Sequence, residues 1–567
     1  MSRLPVRALS VACAIGVGAG VTAYATSRPA VANESDAVRH VLLLSVDGMH
    51  QADLDWYVSH HPNSALASLV SHGAEFTHAQ TPVPSDSFPG MTAQVTGGNP
   101  SSTGIFYDDS INRALWPAGS TSCTAPAPGA EVAYFENADK NPSSLDAGQG
   151  GLGTLPDNIL NMTGNPTTLL DPAKLPLNSA CQPVYPHQYI KVNTVFEVIH
   201  QADMLTAWSD KHAAYELLNG PSGKGIDDLF TPEINSQVPG APAGKDWTSD
   251  NAYTRQYDGY KVQAVINEIN GRDHSGKLHP GTPAIFGMNF QTVSTGQKLA
   301  LSKLDGNLVG GYVHDTSGNL VPGKLLTIAL DFVNAKIGDV LAALQARHLD
   351  RSTAVILSAK HGQQPMDLAQ LKRIDDGAVI DALNAQWASA HPERVQPLVP
   401  TSTLTGNPWA INDDGMLLWL ADRSSVATDF AKNFLLNHSG TSNEGLAYTA
   451  SGLKTVYAGE AAADYFNVPP GDSRVPDIFA IAQDGVVYTG GTKKIAEHGG
   501  AHAQDRNVPL VVSAATVEQG MVNDDSVETT QIAPTILNLL GLDPNALKAV
   551  QIEHTRTLPL GEGKSQG

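Results

Sequence analysis

The chain has 567 residues, 41% hydrophobic and 16% charged, enough for one large α/β domain with insertions or for two or three domains. Its formal charge of −21 argues against a nucleic-acid polymer as partner, since phosphate backbones demand a basic face. An anionic small substrate stays open, because a cation held in a site reverses the local field.

At the N-terminus, Arg3 and Arg7 precede an apolar run of small residues, Ala8 to Ala25, and then Ala30-Val31-Ala32. Basic region, apolar region and A-x-A site together read as a secretory signal over 1–32, which implies a secreted or extracytoplasmic protein. No later segment is apolar enough to predict a membrane span after cleavage. Cys13 leaves with the signal, and Cys123 and Cys181 remain as an even pair. In an exported chain that pair predicts a disulfide closing a Pro/Gly/Ser-rich stretch.

Short apolar runs ending in polar residues alternate with helical patterns along the chain. "HVLLLSV" (40–46) reads as a buried strand ending at Asp47. A helix from Pro89 to about residue 96 follows, stopped by Gly97-Gly98. "NTVFEVIHQAD" (193–203) reads as a helix, followed by strand "MLTAW" (204–208), which ends at Ser209-Asp210. "TPAIFGMNF" (282–290) is a strand. Helix 325–345 feeds strand "TAVILSA" (353–359), which ends at Lys360-His361-Gly362. "PDIFAIAQ" (476–483) and "VPLVVSA" (508–514) are read as later strands, and "QIAPTILNLLG" (531–541) as the last helix. This alternation predicts an α/β fold, a mostly parallel central sheet flanked by helices on both faces. Two stretches break the pattern, 116–190 and 366–475, and read as insertions in a domain spanning 38–545. The tail, 548–567, reads as polar and loosely held.

In open parallel sheets, ligands bind beyond the carboxyl ends of the strands, where these polar residues sit. Asp47 in "SVDGM" is placed to hold a divalent cation or to cap a turn. In "PVPSDSFPGMTAQVTGG" (82–98), Ser85, Ser87 and Thr92 offer hydroxyls, and Ser87 lies at or just before a helix N-cap. A serine there either caps the helix or, beside a cation, attacks phosphorus. "AKHGQ" and "AEHGG" add two strand-end histidines, His361 and His498.

Taken in order, "SVDGM", "SDSFPGMTAQVTGGNPSSTGI", "AKHGQ", "AEHGG" and "TQIAPTILNLLGLDP" resemble the alkaline phosphatase superfamily, in its type I phosphodiesterase/nucleotide pyrophosphatase branch. The resemblance covers roughly 40–115, 190–365 and 475–545. It implies an alkaline phosphatase-like fold and a secreted phosphoric ester hydrolase. It implies Ser87 as nucleophile, and Asp47, His361 and His498 as ligands of a divalent metal, zinc by the family pattern, as one ion or two. Asp108 stands where the branch places an asparagine on the phosphoryl oxygen.

Three departures from the pattern stand out. Lys360 replaces an aspartate ligand, and Val293 and Gln297 fall where an aspartate and a histidine are expected. Neither an ammonium nor a valine side chain can ligate a cation. Three arrangements follow. Lys360 supplies the charge of a missing metal, as a catalytic residue. Or residues such as Asp210, His212, Asn289 and Glu497 complete the site, Asp210 and His212 lining the substrate. Or the site has changed use. The functions in view are a phosphodiesterase or nucleotide pyrophosphatase acting on a small anionic ester, a single-metal sulfate or phosphonate ester hydrolase with Lys360 replacing the second cation, and a non-catalytic exported binding protein.

Overall fold

The computed structural model describes residues 37–134 and 138–561, so the signal assigned to 1–32 lies outside the described residues. Its centre is an eight-stranded sheet: β1 (His40–Val46), β2 (Gly73–Gln80), β3 (Ala207–Ser209), β4 (Asp228–Phe230), β5 (Ile285–Phe290), β6 (Thr353–Ser358), β7 (Val511–Ser513) and β8 (Met521–Glu528). The spatial order is β8-β2-β7-β6-β1-β5-β3-β4. Only β7 runs antiparallel to its neighbours. β1 is central, parallel to β6 on one side and β5 on the other, which is why it reads as an unbroken apolar run.

Alternate residues of β1 face opposite layers. Val41 and Leu43 join Phe88, Met91 and Val95 of helix α1 (Ser87–Thr96). Leu42 and Leu44 join Leu326, Leu330 and Val333, which lie on a 23-residue helix, Lys324–Ala346. The expected helices on both faces are present.

Three strands were not visible as apolar runs: Gly73–Gln80, Asp228–Phe230 and Met521–Glu528. The last is an edge strand, "MVNDDSVE", mostly exposed and mostly polar. The strand expected at 476–483 forms as Ile478–Ala482, but in a different sheet. It pairs antiparallel with Gly415–Leu418 and Leu453–Ala458 in a separate four-stranded sheet. Ile478, Ala480 and Ala482 pack there with Ile380, Leu383 and Leu435. A short apolar run announces a strand but carries no record of its partners.

The stretches 116–190 and 366–475 touch each other, since Thr405 Oγ1 donates to Glu131 at 2.9 Å. Cys123 and Cys181 form the expected disulfide, with Cα atoms 5.5 Å apart. The start of the tail is not loose. Lys548–Glu553 is a helix with Ala549 and Val550 buried, and Glu553 accepts from Asn99 N at 2.8 Å and Nδ2 at 2.9 Å. Its apolar face is too short to register as a periodic pattern. Among the described residues no helix is long and apolar enough to cross a membrane.

Candidate active site

Sheet register brings the strand ends together. Ser45 of β1 pairs with Asn289 of β5 and with Ser358 of β6, so Asp47, Gln291 and Lys360 emerge side by side. Across from them stands the start of α1. This helix begins at Ser87, two residues before the sequence suggests, and its cap is Asp86, whose carboxylate accepts from Phe88 N at 3.1 Å. The capping duty therefore falls on Asp86 and leaves the Ser87 hydroxyl free. Ser85 and Thr92 are locally satisfied: Ser85 Oγ donates to Asp505 O at 2.8 Å, and Thr92 Oγ1 to Phe88 O at 2.9 Å. Gly90 lets α1 approach β6 closely, since a Cβ there would lie 2.1 Å from Lys360 O.

Four groups surround Ser87 Oγ. Lys211 Nζ donates to it at 2.9 Å, His361 Nε2 lies at 3.2 Å and Asp47 Oδ2 at 3.5 Å. Lys211 Nζ also reaches Asp47 Oδ2 at 3.3 Å. The fourth group is the start of α1, which presents the positive end of its dipole. His361 Nδ1 lies 2.8 Å from Gly362 O, which makes Nδ1 the donor and assigns Nε2 as the acceptor in the neutral ring. Burial opposes ionisation of Asp47, but Lys360, Lys211 and His361 outweigh it and hold the carboxyl well below the usual range. Burial likewise works against the Lys211 charge, but Asp47, Asp210, Asp86 and Asp108 prevail and raise its pKa.

Lys211 did not emerge from the sequence, although its neighbours Asp210 and His212 did. It follows Asp210 at the end of β3, and its position after the strand was the available signal. The expected lysine, Lys360, does not touch Ser87. Its Nζ donates to Asp210 Oδ1 at 2.9 Å, Asp210 Oδ2 at 3.1 Å and the Tyr215 hydroxyl at 2.8 Å. Burial lowers its pKa, against Asp210 and Asp47. Asp210 also accepts from Trp208 Nε1 at 2.9 Å, so its carboxylate is committed to Lys360 and the strand. His212 Nδ1 sits 3.0 Å from both Glu233 oxygens, away from Ser87's partners.

A second wall is acidic. Asp86 Oδ2 accepts from Asp108 N at 3.2 Å, and Asp413 accepts from the Tyr107 hydroxyl at 2.7 Å. Burial, then Asp86 and Asp413, push Asp108 well above the ordinary carboxylate range, and burial with Glu497 raises Asp413 to about 7. His498 stacks on His361 with ring centroids 3.6 Å apart, and its Nδ1 lies 3.5 Å from Asp86 Oδ1. Burial, and then His361, keep His498 neutral by holding its pKa well below the usual value. Glu497 is taken by Lys298 at 2.7 Å and by Lys494.

These residues do not fit a divalent metal. Among the described residues no three His, Cys, Asp or Glu side chains converge as a ligand set. Both Asp47 oxygens already accept hydrogen bonds, Oδ1 from Asn289 Nδ2 at 2.7 Å and Oδ2 from Gln291 Nε2 at 2.5 Å. An ammonium, Lys211, stands against the carboxylate and the serine, and Lys360 is close enough to depress the Asp47 pKa. Val293 is fully buried, and Gln297 donates to Gly48 O at 2.7 Å. Of the expected ligands, His361 Nε2 lies 3.7 Å from Asp47 Oδ2 and His498 stacks on His361, while hydrogen-bond donors and one ammonium surround Asp47. Buried Asp258 fixes this cluster: its Oδ2 accepts from Gln291 N at 2.8 Å and Thr292 N at 2.9 Å, while Lys261, 3.2 Å from Asp258, donates to Asn289 O.

The type I phosphodiesterase/nucleotide pyrophosphatase pattern matches residues 41–505. The chain belongs to that family. It is thus an ester hydrolase of the phosphodiesterase/nucleotide pyrophosphatase class. No curated protein sequence matches it. Among solved structures, murine ectonucleotide pyrophosphatase/phosphodiesterase 5 superposes with a TM-score of 0.52 at 12% identity, over 89% of this chain and 96% of that one. An inactive form of the same murine protein, in complex with AMP, gives 0.51 at 11% identity with the same coverage. The alkaline phosphatase PafA gives 0.55 at 14% identity, again over 89% and 96%. At such identities the likeness establishes the fold, which is alkaline phosphatase-like.

Proposed function

We propose that this family member is an exported phosphoric ester hydrolase in which Ser87 attacks phosphorus, served by an ammonium and an imidazole where divalent cations are expected. The observation that carries this reading is the convergence of Lys211 Nζ, His361 Nε2 and Asp47 Oδ2 on Ser87 Oγ at 2.9, 3.2 and 3.5 Å. The substrate class is a small anionic phosphodiester or nucleotide ester; the AMP held by the murine relative supports a nucleotide. The N-terminal signal pattern and the disulfide support export.

In this mechanism His361 Nε2 takes the Ser87 proton as Oγ attacks phosphorus in line. The bond to the leaving oxygen breaks on the side of phosphorus opposite Ser87, its electron pair stays on that oxygen, and solvent protonates it while the His361 imidazolium keeps the Ser87 proton. A phosphoseryl or nucleotidyl-seryl enzyme results. Water then attacks phosphorus from that same opposite side and gives its proton to solvent, and the His361 imidazolium returns its proton to Ser87 Oγ as that oxygen leaves. Lys211 supplies a fixed positive charge to the seryl oxygen and the phosphoryl oxygens as negative charge builds there. Asp47 holds Lys211 in place. Lys360 and Asp210 are positioning residues, bracing the strand ends behind Lys211. Burial, then Asp86 and Asp413, push the Asp108 carboxyl well above the ordinary range, which weakens its repulsion of an anion beside the acidic wall.

The test is turnover of an aryl phosphodiester by purified mature protein. Ser87→Ala should remove it while leaving the fold intact; undiminished turnover in that variant overturns the assignment. A panel of aryl sulfate and phosphonate esters separates the phosphodiester reading from its hydrolase alternatives, and ligand-induced stabilisation without product would mark a binding protein.

A further inference from the structure

At the opposite, amino end of the sheet lies a cavity of about 680 Å³ that plays no part in the chemistry above. Leu205 and Thr206 lead into β3, Asp228 opens β4 and Pro283 precedes β5, and all line it. Helix α2 (Asn251–Ile269) ends against it and contributes Glu268 from its last turn.

Glu268 is 1% exposed, and neither carboxylate oxygen has a hydrogen-bond partner. The other charged groups around the cavity are engaged or stand at its rim. Asp228 Oδ1 lies 2.5 Å from His274 Nδ1, whose Nε2 lies 2.8 Å from Met162 O. Asp273 accepts from Ser275 Oγ at 2.9 Å and Lys277 N at 2.8 Å, closing its own loop. Asp227 accepts from Thr206 N at 3.0 Å and pairs with His200 at 3.1 Å. Arg272 and Lys277 are exposed. A buried carboxyl left without any partner costs stability, and such a group in a cavity marks a place where a ligand completes the hydrogen bonding.

The carboxyl sits at a helix C-terminus, where the dipole favours positive charge, and Asp228 and Asp273 add to the same field. The remaining walls include Met162, Leu205, Leu278 and Pro280. An inorganic cation lacks ligands there, because Asp228 and Asp273 are committed elsewhere. We infer that this cavity binds a small organic ammonium, whose head pairs with Glu268 and whose apolar body lies along Met162, Leu205 and Pro280. Burial, with Asp228 and Asp273, pushes the Glu268 carboxyl well above the usual carboxylate range, and a cation beside it acts against that shift. Asp227, His274, Arg272 and Lys277 complete the set of charged groups facing this exchange.

The experiment is calorimetric titration of the full mature protein with hexylammonium, hexanol and hexanoate as probes. Hexylammonium should bind at least about tenfold more tightly than hexanol, and hexanoate should not bind. Glu268→Gln should lose the preference for hexylammonium while keeping Tm and ester turnover, which shows that the variant is folded. Equal binding of hexanol and hexylammonium by the native protein overturns the proposal without recourse to any variant. So does unchanged hexylammonium binding in folded Glu268→Gln, or no binding of hexylammonium at all.

Discussion

The two ends of the central sheet handle buried charge in opposite ways. At the carboxyl end, Asp47 has donors on both oxygens and a lysine beside it, so the carboxylate is held ionised. At the amino end, Glu268 has no donor, and burial pushes its pKa well above the usual carboxylate range. Equal burial thus shifts one carboxyl toward its ionised form and the other toward its protonated form, and the donors make the difference. The lesson is that a strand-end carboxylate in this fold is defined by what faces it. Asp47 faces Lys211, Asn289 and Gln291, and its role changes with them.

The contrast can be broken most severely at Ser87. Ser87→Ala should lower phosphodiester turnover by about 10³-fold or more, read as kcat. Lys211→Met removes the ammonium from the same oxygen and should lower kcat by about 10²–10³-fold, with substrate affinity falling less. If Lys360→Met proved as damaging to kcat as Lys211→Met without a loss of Tm, the roles of the two lysines would have to be exchanged. Gly90→Ala forces α1 away from Lys360 O and should cost about 1–3 kcal/mol of stability, measured by denaturant unfolding.

A smaller effect comes from Asp413 in the acidic wall. Its pKa is raised from the ordinary 3.8 to about 7 by burial and Glu497. Below 3.8 the group is protonated in both the folded and the unfolded chain, and its contribution is fully present. As pH rises through about 7 the unfolded chain sheds the proton more readily, and that contribution is lost. Asp413→Asn should flatten the fall of Tm across this window, and an unchanged slope would remove Asp413 as its source. At the amino end, Glu268→Gln should leave ester turnover unaltered; a loss there would mean that the two ends of the sheet are not independent.

Much of this was legible in the sequence, and the rest was hidden for identifiable reasons. Strand β1 and its Asp47 showed clearly because a central parallel strand must be apolar throughout and break at its polar end. Ser87 showed through its helix start. Asp86 as the cap did not, since "SDS" offers three candidate caps and only backbone geometry chooses between them. The departures from the family's ligand pattern were visible in Lys360, Val293 and Gln297, but the lysine beside Asp47 was not. Lys211 lies about 160 residues from Asp47 in sequence, and only the pairing of β3 beside β5 brings it within 3.3 Å. Strand Ile478–Ala482 was placed in the wrong sheet because apolar runs of equal length serve either one.

The central claim is that Lys211, rather than a divalent cation, serves the nucleophile. The direct measurement is phosphodiester turnover by wild-type and Lys211→Met protein after exhaustive chelation, with and without added zinc. The account predicts that chelated wild type keeps its rate, that zinc adds nothing, and that Lys211→Met is slow in every condition. A wild-type rate that vanishes on chelation and returns with zinc would contradict it.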